Sequence, residues 1–154
     1  MSAKIIDGNA LAEKNKAEVS QQDGELRQAG RAVRLAAVQV GENPASKMYT
    51  NMQAKACESV GIDYDLLNLP ADLSEADLLA KIEELNADDS VSGMILQMPV
   101  PPQIDARKIQ VAISPAKDVE GMGPVNMGRL FYGADGVAPC TPVAAVELLK
   151  SACD

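Results

Sequence analysis

Residues 32–70 read AVRLAAVQVGENPASKMYTNMQAKACESVGIDYDLLNLP, two apolar runs on either side of a polar-faced helical stretch. The first run, AVRLAAVQVG (32–41), is β-branched and apolar and suits a buried strand. GENPAS then reads as a loop, with Pro44 at a helix start. The helix through SKMYTNMQAKACESV ends at Gly61, a residue suited to the position just past a helix. IDYDLLNLP is apolar at Ile62, Leu66, Leu67 and Leu69 and reads as a second strand stopped by Pro70. Strand, long helix, strand is the pattern of a right-handed crossover between parallel neighbours.

The pattern continues outward in both directions. Asp7 is a plausible N-cap for a polar amphipathic helix running to Gly30. Ser74 opens a helix through SEADLLAKIEELNAD, with Asp77 three residues on, close to a capping box. VSGMILQ (91–97) is a third strand, broken by MPVPP. IDARKIQVAIS and VNMGRLFYG read as short helices, SPAKDVEG as the loop between them, and a last helix starts at Thr141. The order predicts an α/β fold with a small parallel sheet in three α/β/α layers, and residues 1–154 as a single domain. In open parallel sheets ligands bind beyond the carboxyl ends of the strands. GENPASKMY and QMPVPP are therefore the segments expected to hold a site.

Composition narrows the chemistry. The net charge is -8, from 14 basic and 22 acidic residues, which argues against nucleic acid as a partner. With no apolar run long enough to cross a bilayer and no apolar core in the opening MSAKIIDG, no membrane is expected and a cytoplasmic location is the default. The sequence holds no histidine, which excludes Ser-His-Asp and Cys-His nucleophile chemistry. Any proton transfer must use Lys, Asp, Glu, Tyr or Cys. Cys57, Cys140 and Cys153 show no pairing pattern and suggest neither a disulfide framework nor a metal site. Cys140, between prolines, reads as a packed thiol.

A helix advances 100° per residue, so Ser46, Tyr49 and Gln53 fall within an arc of about 60°. Lys55 lies about 160° from Gln53, on the outer face.

Three stretches together resemble a known family: VGENPASKMYTNMQAKACESVG (40–61), GMILQMPVPPQID (93–105) and SPAKDVEGMGPVNMGRLFYGADGVAPCTP (114–142). They are similar to the N-terminal, folate-binding domain of bifunctional methylenetetrahydrofolate dehydrogenase/methenyltetrahydrofolate cyclohydrolase. The resemblance covers essentially the whole chain, and the combination VG-x-NPAS-x-x-Y, Q-x-P-x-P, KDV-x-G and PCTP is specific. It implies oxidation of 5,10-methylenetetrahydrofolate with NADP or NAD, then hydrolysis of the methenyl product to 10-formyltetrahydrofolate. It further implies a pterin cleft shared with a nucleotide-binding Rossmann domain. Tyr49 would pack on the substrate. Gln97 would hydrogen-bond the proton-transfer group. Ser46 and Pro99 would line the site. Asp118 would either take part in it or order the KDVEG loop.

Two positions depart from the pattern. Gln53 stands where the family has a proton-transferring lysine, and Glu120 where it has a pterin-binding aspartate. Glutamine has no titratable proton, so the resemblance carries an expectation of an impaired cyclohydrolase step. No G-x-G-x-x-G occurs, and neither GMG (121–123) nor GADG (133–136) sits between a strand and a helix. The chain alone is expected to bind no dinucleotide. NADP or NAD would come with a nucleotide-binding domain, which the family would continue into past Asp154 and which a partner chain could also supply. Without the family's returning C-terminal helix, an exposed apolar patch and a possible homodimer are expected. The alternatives are a stand-alone folate-binding module or pseudoenzyme, and an interaction domain that regulates a full-length partner.

Overall fold

β1 (Arg34–Val40) lies at the centre of a three-stranded parallel sheet, between β2 (Asp63–Leu69) and β3 (Gly93–Leu96). The computed structural model describes residues 5–153; MSAK, the start of the stretch read for a leader, lies outside the described residues. Around the sheet run α1 (Gly8–Gln28), α2 (Pro44–Val60), α3 (Glu75–Ala87), α4 (Ala106–Ala112), α5 (Pro124–Phe131) and α6 (Cys140–Cys153). Each strand falls inside the apolar run expected for it. Among the described residues, no helix is long and apolar enough to cross a membrane.

The helix starts follow their capping chemistry. The Asp7 carboxylate accepts from the Asn9 and Ala10 backbone N–H groups at 3.0 and 3.2 Å. Ser74 Oγ accepts from Asp77 N–H at 3.1 Å and donates to the Asp77 carboxylate at 2.6 Å.

Strand alternation gives the sheet two unlike faces. Ala36, Val38 and Val40 of β1, Leu67 and Leu69 of β2, and Met94 and Leu96 of β3 share one side. They pack with Leu78, Ile82 and Leu85 of α3 and with Ile109 and Ile113 near α4 into one aliphatic cluster. Leu78 and Ile82 are fully buried, and burial of each such side chain contributes about 1.5–3 kcal/mol. The opposite side carries Leu35, Ala37 and Gln39 of β1 with Tyr64, Leu66 and Asn68 of β2. Gln97, one residue past β3, extends that side and is buried. α2 covers it with a buried line of Ser46, Thr50, Cys57 and Val60, so this layer mixes polar and apolar groups. Polar groups in such a layer must find partners, because each buried and unpaired one is costly.

The outer edge of β3 is closed by the KDVEG segment. Met94 N–H donates to the Lys117 carbonyl at 2.8 Å, and Met94 and Asp118 form a parallel bridge. Lys117 Nζ donates to the carbonyls of Leu85 and Asp88 at 2.8 and 2.7 Å, which anchors the segment to the end of α3. A segment read as a plain loop is thus a short extension of the sheet. It carries Glu120 alongside the strand that leads to Gln97.

Candidate functional site

Gln53, on the sheet-facing side of α2, is reached from two strands at once. Gln97 Nε2 donates to Gln53 Oε1 at 2.7 Å. The Tyr64 hydroxyl, from β2, donates to the same oxygen at 3.1 Å. Both lone pairs of the Gln53 carbonyl are therefore used. Burial pushes the Tyr64 phenol up to about 12, with smaller contributions from Cys57 and Tyr49, so it remains a protonated donor. The trio is uncharged.

Ser46 is buried at the start of α2, and its Oγ donates to the Met98 carbonyl at 3.2 Å. Pro99 follows a cis Met98–Pro99 bond and is exposed. Tyr49 is 56% exposed, on the rim rather than in the buried line. The three residues expected on one helix face are thus divided: Ser46 and Gln53 point inward, and Tyr49 stands at the edge with its ring open to a ligand. Lys55 is exposed.

Asp118 is 5% exposed, and both its oxygens are engaged. One accepts from Gly123 N–H at 2.8 Å and from Asn126 Nδ2 at 3.1 Å, the other from Met122 N–H at 3.4 Å. The Asp118 carboxylate orders the loop and the start of α5. Glu120, two residues on, is half-buried and has no hydrogen bond or ion pair among the described residues. Burial pushes its carboxyl above the ordinary value, helped by the neighbouring Asp118 charge. A half-buried, unpartnered carboxylate suits a ligand that offers N–H donors.

Two expectations about the surroundings change. Cys140 is exposed rather than packed, because α6 begins there and has no buried residue; its thiol lies 3.6 Å from the Val119 carbonyl. The GMG run does open α5, but its N–H groups serve Asp118 and are not free to cradle a phosphate. A separate cavity of about 510 Å³ lies on the other flank of α2, lined by Gln39, Glu42, Lys47, Asn51 and Asn68 among others. It contains neither Gln53 nor Glu120. Among the described residues no group of acidic or cysteine side chains could hold a metal ion.

Tyr64 is the residue that sequence reading misses. Its strand position is legible, but its meeting with Gln53 depends on how α2 lies over the sheet.

Residues 6–120, spanning both walls of this site, match the family described as tetrahydrofolate dehydrogenase/cyclohydrolase, catalytic domain. The chain belongs to that family. Among curated members, it is 48% identical over 151 residues to the bifunctional protein FolD of Cupriavidus metallidurans, covering 98% of this chain and 53% of that protein. It is 48% identical over 150 residues to that of Geotalea uraniireducens, covering 97% and 54%. The chain spans about half the length of the curated relatives it matches. Among solved structures, the FolD methylenetetrahydrofolate dehydrogenase/cyclohydrolase of Campylobacter jejuni superposes with a TM-score of 0.95 at 40% identity, over 97% of this chain and 54% of that one. The Trypanosoma brucei FolD, solved with NADP cofactor and an inhibitor, gives 0.90 at 30% identity, over 100% and 54%. The small parallel sheet with its helical layers is the fold these family members share with this chain.

Proposed function

We propose that this chain is the folate-binding catalytic domain of a methylenetetrahydrofolate dehydrogenase/methenyltetrahydrofolate cyclohydrolase in which the cyclohydrolase step is impaired. Residues 1–154 act as one folate-binding unit. Tyr49 packs on the pterin, Glu120 accepts its N–H groups, and Gln97, Pro99 and Ser46 form the wall beside α2.

The reading of impairment rests on Gln53: its amide oxygen is saturated by Gln97 and Tyr64, and the resemblance puts the proton-transferring lysine at its position. An amide can position a water or a substrate oxygen but cannot exchange a proton with it. General acid–base catalysis contributes roughly 10²–10⁴-fold. Hydride transfer is separable, because it depends on holding the folate carbon against a nicotinamide. The dinucleotide, NADP or NAD, is held by residues other than these 154, in the same polypeptide or in a partner. The exposed Leu130, Phe131, Val146 and Leu149 along α5 and α6 support such a partner surface or a homodimer.

The test is hydrolysis of methenyltetrahydrofolate at neutral pH before and after Gln53→Lys. Slow turnover that rises about 100-fold or more with the lysine is expected. Rapid turnover by the unmodified chain would overturn the reading. Gln53 also favours a second reading, a folate-binding module without catalysis. Calorimetric binding of tetrahydrofolate, with no gain in turnover from Gln53→Lys, would identify it.

A further inference from the structure

We infer that Tyr64 is a positioning residue of the folate site: with Gln97 it clamps the Gln53 carboxamide so that the amide NH₂, not the oxygen, faces the ligand. The inference rests on the folate reading above and deepens it.

The geometry is that of a two-sided clamp. The strand order is β2-β1-β3, so Tyr64 and Gln97 flank the central strand. Neighbouring strands lie about 4.8 Å apart, which places the two donors on opposite sides of β1. Ala37, the small same-face residue of β1 between their levels, leaves room for the phenol to reach beneath α2. Both donors converge on Gln53 Oε1, at 2.7 and 3.1 Å. Gln53 Nε2 makes no hydrogen bond among the described residues, and its side chain is partly exposed. Two N–H donors are therefore left for a ligand. The phenol is held protonated by burial, so it serves as a donor throughout the neutral range.

The chemistry of the recognised atom follows. A fixed, uncharged NH₂ selects an acceptor on the ligand, a carbonyl oxygen or an unprotonated ring nitrogen. It neither repels nor attracts a formal charge there. A free glutamine could rotate its amide and offer either end; the clamped one cannot.

The experiment is calorimetric titration with tetrahydrofolate of the unmodified chain, Tyr64→Phe, Gln53→Ala, Gln53→Glu and the Tyr64→Phe/Gln53→Ala double variant. Loss of one positioning hydrogen bond should weaken binding about five- to tenfold in Tyr64→Phe. The double variant should bind like Gln53→Ala alone, because the phenol then has nothing to position. Gln53→Glu keeps the acceptor for both donors and removes the outward NH₂, and should bind more weakly than Tyr64→Phe. An equal further loss from Tyr64→Phe on the Gln53→Ala background would mark a packing role and overturn the inference, as would unchanged affinity in Tyr64→Phe.

A ligand-free readout separates this inference from the folate reading. Nuclear relaxation of the Gln53 side-chain amide should report a rigid group in the unmodified chain and a mobile one in Tyr64→Phe. If tetrahydrofolate binds to none of the proteins, the folate reading fails. Loss of amide order in Tyr64→Phe still upholds the clamp, and unchanged order overturns it.

Discussion

Ser46 Oγ donates to the Met98 carbonyl at 3.2 Å, which ties the first turn of α2 to the turn that follows β3. The two walls of the candidate cleft, one carrying Tyr49 and Gln53, the other Gln97 and Pro99, are joined by this bond. A serine that looks like a ligand group from the sequence is also a brace. Ser46→Ala should leave the Met98 carbonyl short of a donor and cost about 0.5–1.5 kcal/mol. Urea unfolding measures that loss. Tetrahydrofolate affinity should fall with it, because Pro99 is no longer held opposite α2. Full affinity in Ser46→Ala would show that the brace is dispensable.

The fold was legible because its signals are local. Val38, Val40, Leu67, Leu69, Met94 and Leu96 stand in short runs bounded by Gly41, Pro70 and Pro99, and a buried parallel strand needs no more. The face of α2 was legible from helical rotation alone. What escaped depends on elements meeting. Tyr64 and Gln53 are eleven residues apart on a strand and a helix, and only the seating of α2 on the sheet joins them. The exposure of Tyr49 depends on where the sheet ends beneath α2. The KDVEG segment looked like a loop because its pairing with Met94 involves a single bridge, too short to leave a periodic pattern. Cys140 looked packed from its flanking prolines, whereas burial is set by what α6 rests against.

Glu120 links the site to pH. Its carboxyl is raised in the folded chain, first by burial and then by Asp118. A raised folded value means that the unfolded chain ionises more readily. The associated stability is fully present below the ordinary carboxylate value and is lost as pH rises through the folded value. Glu120→Gln should therefore stabilise the protein at neutral pH relative to the unmodified chain, and the advantage should vanish in acid. Thermal unfolding of both proteins across that range checks it; parallel curves would contradict the assignment. If the carboxylate also receives the pterin N–H groups, the same variant should bind tetrahydrofolate more weakly at neutral pH.

Gly121 sets the position of Glu120. It adopts a φ of +65°, and a Cβ there would lie 2.5 Å from the Val137 carbonyl oxygen and 2.8 Å from the Ala138 carbonyl carbon. Both neighbours are backbone, so no rotamer change relieves the overlap. Gly121→Ala should cost about 1–3 kcal/mol from the backbone conformation, with the overlap added. It should also push the KDVEG segment away from residues 137–138. The checks are chemical denaturation and tetrahydrofolate affinity together; a variant as stable as the parent would show that this region yields easily.

The sheet's two faces have a consequence for how such a protein can change over generations. Folding draws on the aliphatic side, where Ile82, Met94 and Leu96 meet; chemistry is proposed for the side under α2. The side chains at positions 53, 64 and 97 can be exchanged among polar types with little disturbance to the aliphatic layer. A lineage can then alter or abandon a reaction while its protein still folds, and heritable variation in catalysis is buffered from variation in stability.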